Sequence, residues 1–488
     1  MAVETKAEVT ECLVDLAWST DYSALSDEAL RAGKSLILDT LCCVVAGSVE
    51  DSATIPAGVF SQLGGGAEAT LLGGGPAAGT RLPALNAAYV NAHSANVIDA
   101  DDTMRYKGHI AAATVPPALA FAERQRASGR DFLTTVITGY EIAARIGLSL
   151  QGLRVNEAGE TAFQKVSGYG WVGFGSVVTV ARLLGVSVEQ MRNAVGIGAS
   201  TLIIPASTMF GSMLPRPMTK YVMYGNAAQS GALAAMLAEQ GFTGKARLFE
   251  DDDGGIVPAL GSLGRDVEVL VRGVENRWLI QDACFKPYPA CRFNNPAIDL
   301  FLEVLRDQQV DPARIAEIVV EVPPAGLKKH RADVFPAESL VDATFSLPHL
   351  LGAAAYAGPP GPGWLSEEVR MSPLIADLAR KMTIRPIEGA GELAAEDLST
   401  RGHLVRMPTR LRVRVDDGRI YEREAVYAQG DVFDPEYAFD YDRLVTKFED
   451  FCGGILSAAQ IDRVASIVMD VEHCDDLGEL VRNLVREG

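Results

Sequence analysis

No Cys-x-x-Cys pair occurs among the seven cysteines, and their number is odd. A disulfide framework and a zinc ribbon are therefore both unsupported, and the expected compartment is reducing, hence cytoplasmic. Histidine is scarce, with six in the chain, and no His-Glu-x-x-His, Ser-x-x-Lys or Gly-x-Ser-x-Gly motif appears. Zinc hydrolase and serine hydrolase chemistry thus have no local support. The start of the chain, polar and acidic, lacks the basic and apolar regions of a signal peptide. The one long uncharged stretch, between Arg192 and Arg216, carries Pro205, Gly211 and several hydroxyls. It reads as a buried helix followed by a loop, not as a membrane span. Basic residues are outnumbered, 44 against 63 acidic, for a net charge of −19. Such a surface disfavours nucleic acid and anionic membranes. A carboxylate substrate would need a local basic pocket, which draws attention to the few buried lysines and arginines.

What is present is a soluble-protein composition, 48% hydrophobic and 22% charged over 488 residues, enough for two or so domains. Residues 1–275 read as helix after helix. Ser26 is an N-cap with Asp27 and Glu28 in the first turn, and Gly47 is the expected stop. Ala-rich segments near 84–99 and 225–240 suit close helix packing. A further helix spans Ser128 to Gly147, and Ser187 with Gln190 forms a capping-box pattern. After Asn276 the period changes. IAEIVVEVP at 315–323 puts Ala316, Ile318, Val320 and Val322 on one face, and RLRVRVDDGRIYERE at 410–424 alternates likewise around Asp417-Gly418, a two-residue hairpin signal. From Asp440 helices return. The expected architecture is mainly α with an inserted α+β domain: a helical domain from 1–275 and 431–488, and a smaller α+β lid at 276–430. No internal repeat of fixed period is visible.

The densest polar cluster is NVIDADDTMRYKGH at 96–109, between two apolar helices. It reads either as an acid/base site, with carboxylates tuning a histidine or a cation, or as a solvated interhelical loop. His109 within it is either the acid/base or a structural histidine. GYGWVG at 168–173 matches Gly-x-Gly-x-x-Gly, but AFQKVS before it is a poor strand, so no dinucleotide cofactor is expected. The glycines allow close packing, or frame a pocket with Tyr169 and Trp171. Lys220 falls where a loop meets a helix, as a carboxylate clamp or a surface lysine. KPYPACRFNNPAID at 286–299 carries Lys286, Tyr288, Cys291 and Arg292, either as an interdomain hinge or as one wall of a cleft. Cys42 and Cys43 read as core.

Six blocks taken together, LDTLCCVVAGS, VNAHSANVIDADDT, ARLLGVSVEQMRNAVGIGAS, MTKYVMYGNAAQSG, KPYPACRFNNPAID and FSLPH, resemble the MmgE/PrpD family over nearly the whole chain. The family holds dehydratases, decarboxylases and epimerases of small carboxylates. The resemblance implies a helical domain with an α+β lid, a homodimer, no metal and no organic cofactor. It implies Asp99, Thr103, His109 and Lys220 as catalytic, with Tyr169 as a further acid/base candidate. Lys286, Arg292, Trp171, Tyr288 and His349 are then substrate-binding candidates. Several family histidines are replaced: Asn96, Met223 and Asn295 stand in such places, and the histidine expected before the glycine-rich helix is missing near Val166-Ser167 and Tyr169-Gly170-Trp171. His349 stands where a tyrosine is usual. The implied activity is a cofactor-independent lyase on a small di- or tricarboxylate, with an epimerase as alternative and a non-catalytic binding relative as the third reading. The missing imidazoles point to a changed substrate or a reaction with fewer proton transfers.

Overall fold

The computed structural model describes residues 8–151, 153–155, 161–163, 169–202, 213–250, 255–274, 277–324, 326–327, 332–401 and 403–487. The fold is mainly α, with a small mixed sheet in the C-terminal region. Its centre is the Asp27–Gly47 helix, started by Ser26, whose Oγ accepts from the Ala29 amide at 3.2 Å. Asp27 and Glu28 face the positive end of the helix dipole. Every residue from Leu36 to Gly47 is buried, so this helix is wrapped on all sides. Gly47 does not act as a left-handed stop. A Cβ there would lie 2.1 Å from the Ser94 carbonyl, so the glycine lets the Ala84–Asn96 helix approach. That Ala-rich helix packs between Asp27–Gly47, Val115–Gln125 and Thr219–Glu239. The expected capping box at Ser187 and Gln190 is formed.

No single helix among the described residues is long and apolar enough to cross a membrane. The bent pair Asp27–Gly47 and Asp51–Leu63, at 86°, has the length and composition, but the first helix lies in the protein core.

A second hydrophobic cluster gathers around four strands in the order Ile420–Ala425, Thr409–Val415, Ile315–Val322, Met382–Pro386. The first three are antiparallel and the last is parallel. The helices Asn295–Asp307 and Leu347–Tyr356 contribute Ile298, Phe301, Leu350 and Leu351 to this cluster. The expected alternation of Ile315–Val322 is broken once. A bulge between Ile315 and Glu317 changes the phase, so Ile315 is buried with Ile318, Val320 and Val322 while Ala316 is only half-buried. The hairpin loop holds three residues, Asp416 to Gly418, with Gly418 at φ 88°.

The chain then returns through Tyr441–Cys452, Ala458–Met469 and Gly478–Asn483, whose Leu444, Phe448, Ile461 and Leu480 join the first core. Two crossings link the cores. On the way out, Cys284 and Ala283 pair with Thr103 and Met104. On the way back, Gly430 accepts from the Phe285 amide at 3.0 Å. A Cβ on Gly430 would sit 1.9 Å from the Phe285 carbonyl, and its φ of 86° also favours glycine. The loop after the Ala84–Asn96 helix is thereby pinned against both crossings.

Candidate active site

The loop is shaped by its own backbone. Asp99 turns at φ 54°, its amide bonded to the Asn96 carbonyl at 2.9 Å. Arg105 turns again at φ 54°, and the Met104 amide bonds the Gly108 carbonyl at 2.8 Å, which folds His109 back toward Asp99. Gly108 lies on Trp171, whose ring would be 2.9 Å from any Cβ there. Asp102 closes the loop: it accepts from the Ala111 amide at 3.0 Å and from the Tyr140 hydroxyl at 3.0 Å.

Four buried charges meet at Asp99. Lys220 Nζ is 2.6 Å from Asp99 Oδ2 and Lys286 Nζ is 2.5 Å from Oδ1. Lys286 also donates to the Asp99 carbonyl. Asn96 serves both sides: its Nδ2 donates to Asp101 at 2.8 Å and its Oδ1 accepts from Lys220 at 3.2 Å. The His109 Nδ1 lies 3.3 Å from Asp101 Oδ1, an ion-pair distance off the line of a good hydrogen bond. Its Nε2 is 3.9 Å from Asp99, and its ring meets Tyr224 edge-on at 5.8 Å.

Burial pushes the Asp99 carboxyl upward, but Lys220, Lys286 and His109 outweigh it and hold the group well below the carboxylate range. Asp101 is likewise held low, because His109 and Lys286 overcome burial. Asp102 goes the other way, pushed up to about 7 by burial and by the neighbouring Asp101 charge. An ionised Asp101 favours a hydrogen on Nδ1 of His109 and leaves Nε2 for acid/base work. Asp99, Asp101 and His109 lie close enough together to ligate a metal. Here both Asp99 oxygens receive an ammonium, and Asp101 accepts from Asn96.

A cleft opens over this cluster. Asp99, Thr103, His109, Tyr169 and Lys220 line it, so all five catalytic candidates from the sequence converge. Thr103 Oγ1 and the Tyr106 hydroxyl in its wall are buried without a hydrogen-bond partner among the described residues. The facing wall is apolar: Met223, Cys291, Phe293 and Phe345. Burial pushes the Cys291 thiol up to about 12, so it remains a neutral surface.

Other candidates fall elsewhere. Lys286 is wholly buried behind Asp99 and reaches the cleft only through that carboxylate. Arg292 borders the cleft, but its guanidinium is bound to Asp431, to the Phe285 carbonyl at 2.9 Å and to the Gln429 carbonyl at 3.2 Å, where the two crossings meet. Trp171 packs beneath Gly108 and Gly147 and does not line the cleft. Tyr288 donates to Asp299 at 2.6 Å and stacks on Trp364, inside the second core. His349 also lies there, bonded to the Trp364 carbonyl at 2.8 Å, and burial pulls its imidazole down to about 4. Neither Tyr288 nor His349 lines this cleft. The Gly168 of GYGWVG lies outside the described residues, as do Val166 and Ser167. A short strand, Thr161–Phe163, does precede that motif, but among the described residues it pairs only with Leu153–Val155. Gly170 instead serves packing: a Cβ would meet the Leu202 carbonyl at 1.5 Å. Asp101, Tyr224 and Phe345 were not singled out by sequence, and for Phe345 the FSLPH block was the one available signal.

Residues 11–263 match the MmgE/PrpD N-terminal domain and residues 288–472 match the MmgE/PrpD C-terminal domain. Human cis-aconitate decarboxylase is 28% identical over 295 residues, covering 58% of this chain and 56% of that protein. The mouse cis-aconitate decarboxylase is 26% identical, covering 64% of each. The chain thus spans between half and two thirds of these mammalian relatives. Cis-aconitate decarboxylase of Aspergillus terreus is 22% identical over 98% of this chain and 96% of that protein. With both domains matched in order, and with the cleft described above built from the blocks that carry the likeness, the chain belongs to the MmgE/PrpD family.

Proposed function

We propose that this protein is a cofactor-independent lyase that decarboxylates cis-aconitate or a close unsaturated analogue. The observation that carries the reading is the arrangement of His109 over a charge-balanced floor of Asp99, Asp101, Lys220 and Lys286. Relatives named as cis-aconitate decarboxylases support the choice of reaction.

In this reading the substrate lies between the polar floor and the wall of Met223, Phe293 and Phe345. The bond between carbon and the departing carboxylate breaks, and its electron pair passes through the adjacent double bond into a remaining carboxylate. Lys220 stabilises that developing negative charge, because a fixed ammonium in a dry site needs no reorganisation. Protonated His109 then delivers its Nε2 proton to carbon, while Asp101 holds the imidazolium. Carbon dioxide leaves, and the product carries one carboxylate fewer and one new C–H bond. Lys286 acts at one remove, keeping Asp99 ionised and in place.

Release of carbon dioxide from cis-aconitate by the purified protein tests the reading; a protein that releases none from it or from its analogues would refute it. An epimerase reading draws on one observation, the presence of Tyr169 in the same cleft as His109, as a second proton carrier. Exchange of a substrate hydrogen without loss of mass would favour it.

A further inference from the structure

The last helical segment of the chain reaches back under the site. Lys447, in the Tyr441–Cys452 helix, is buried, and its ammonium donates to Asp39 Oδ1 at 2.5 Å and to the Ala100 carbonyl at 2.7 Å. Asp39 lies midway along the central Asp27–Gly47 helix, and its Oδ2 has no hydrogen-bond partner among the described residues. Neither residue lines the cleft. A buried ion pair in a helical core is a poor way to gain stability, since apolar residues of similar size do as well or better. What this pair touches suggests its use. Asp99 holds a left-handed conformation that L side chains rarely adopt. The two carbonyls that follow from that turn, of Asp99 and of Ala100, each receive an ammonium, from Lys286 and from Lys447. The Ala100 carbonyl belongs to the peptide that leads into Asp101, the partner of His109.

We propose that Lys447 and Asp39 are positioning residues: Asp39 holds the Lys447 ammonium, and the ammonium fixes the Ala100–Asp101 peptide so that Asp99 faces Lys220 and Asp101 faces His109. The C-terminal return of the chain is then part of the active site's frame. A small misplacement of reacting groups costs rate far more than it costs binding.

The test is the double variant Asp39→Leu/Lys447→Met, which leaves no charge stranded in the core, read by amide hydrogen exchange and by kinetics. The exchange arm is independent of the proposed reaction; the kinetic arm rests on it. The Asp99 and Met104 amides are expected to exchange at least about tenfold faster, while amides of 36–46 and 444–452 keep their protection. The kcat for decarboxylation is expected to fall about 10- to 100-fold with KM within about threefold. Lys447→Arg keeps a cation beside Asp39, and should recover most of the loop protection; it also serves if the double variant does not fold. Loop amides as protected in the double variant as in the parent would overturn the proposal. So would loss of protection spread equally over all three segments, or an Arg variant whose loop exchanges as fast as it would with the cation gone. A parent without decarboxylase activity would sink the proposed reaction, and the exchange arm would still decide this inference.

Discussion

Lys286→Met is the most informative perturbation of the charge cluster. Lys286 is 0% exposed, and its ammonium meets the Asp99 carboxylate at 2.5 Å and the Asp99 carbonyl as well. Methionine fills nearly the same volume, so the change removes charge and hydrogen bonds without opening a large cavity. Breaking a buried pair by deleting one partner costs roughly 3–5 kcal/mol. Lys220 remains on the other Asp99 oxygen, so the expected loss at pH 7 is near the lower end, about 3 kcal/mol. The loss is also pH-dependent. The folded Asp99 has a depressed pKa, so its contribution is present above the unfolded value of about 4 and is lost as pH falls through the folded value. Without Lys286 that depression shrinks. The unfolded value is common to both proteins, so the stability gap is full at neutral pH and narrows only as pH falls through the variant's own folded Asp99 value, which is still depressed by Lys220. Urea unfolding followed by tryptophan fluorescence in steps from pH 7 down to about pH 2 measures it. A variant as stable as the parent at pH 7, or a gap that does not narrow on acidification, would refute the reasoning.

Three further outcomes are expected. Gly147→Ala places a Cβ 2.4 Å from the Trp171 ring and should lose about 1–3 kcal/mol by overpacking; an unchanged urea midpoint would show that Trp171 does not support the loop as described. Tyr288→Phe strips the donor from Asp299, a carboxyl pushed up to about 7 by burial, and should cost about 1–3 kcal/mol with KM unchanged. A raised KM at unchanged stability would instead return Tyr288 to the substrate. For Asp102 the folded pKa, about 7, lies above the unfolded value near 4, so this group costs the parent stability as pH rises between them. The stability of Asp102→Asn relative to the parent should therefore improve from pH 4 to pH 7, and a flat difference would contradict a carboxyl raised by burial and by the Asp101 charge.

Much of the architecture was legible because its signals are local. Ser26 and Ser187 cap the helices they were expected to cap, the helix expected over 128–147 forms as Gly129–Ser149, and the alternation at 410–424 reads out as a hairpin. The strand Met382–Pro386 was not foreseen: it sits at the sheet's edge, and its alternation, with Met382 and Ile384 half-buried against the second core, runs for four residues before Pro386 and is too short to stand out. The bulge at Ile315/Glu317 was equally silent, since one extra residue leaves no mark on composition. In the site, the polar density of 96–109 marked the loop, and the shared blocks marked Lys220 and Lys286. Distinguishing residues that face the cleft from those that do not requires three-dimensional packing. Trp171, Tyr288 and His349 carry suitable chemistry in suitable blocks, yet glycine contacts and ring stacking turn them into the surrounding cores. Asp101 was one acid among three until the fold placed it on His109.

The most direct test of the proposed chemistry is incubation of cis-aconitate with the purified protein in deuterated buffer, with His109→Ala in parallel and products resolved by mass. The account predicts loss of one carbon dioxide and gain of one carbon-bound deuterium, with turnover reduced by about 100-fold or more in the variant. Decarboxylation that is undiminished in His109→Ala, or deuterium uptake with no loss of carbon dioxide, would contradict it.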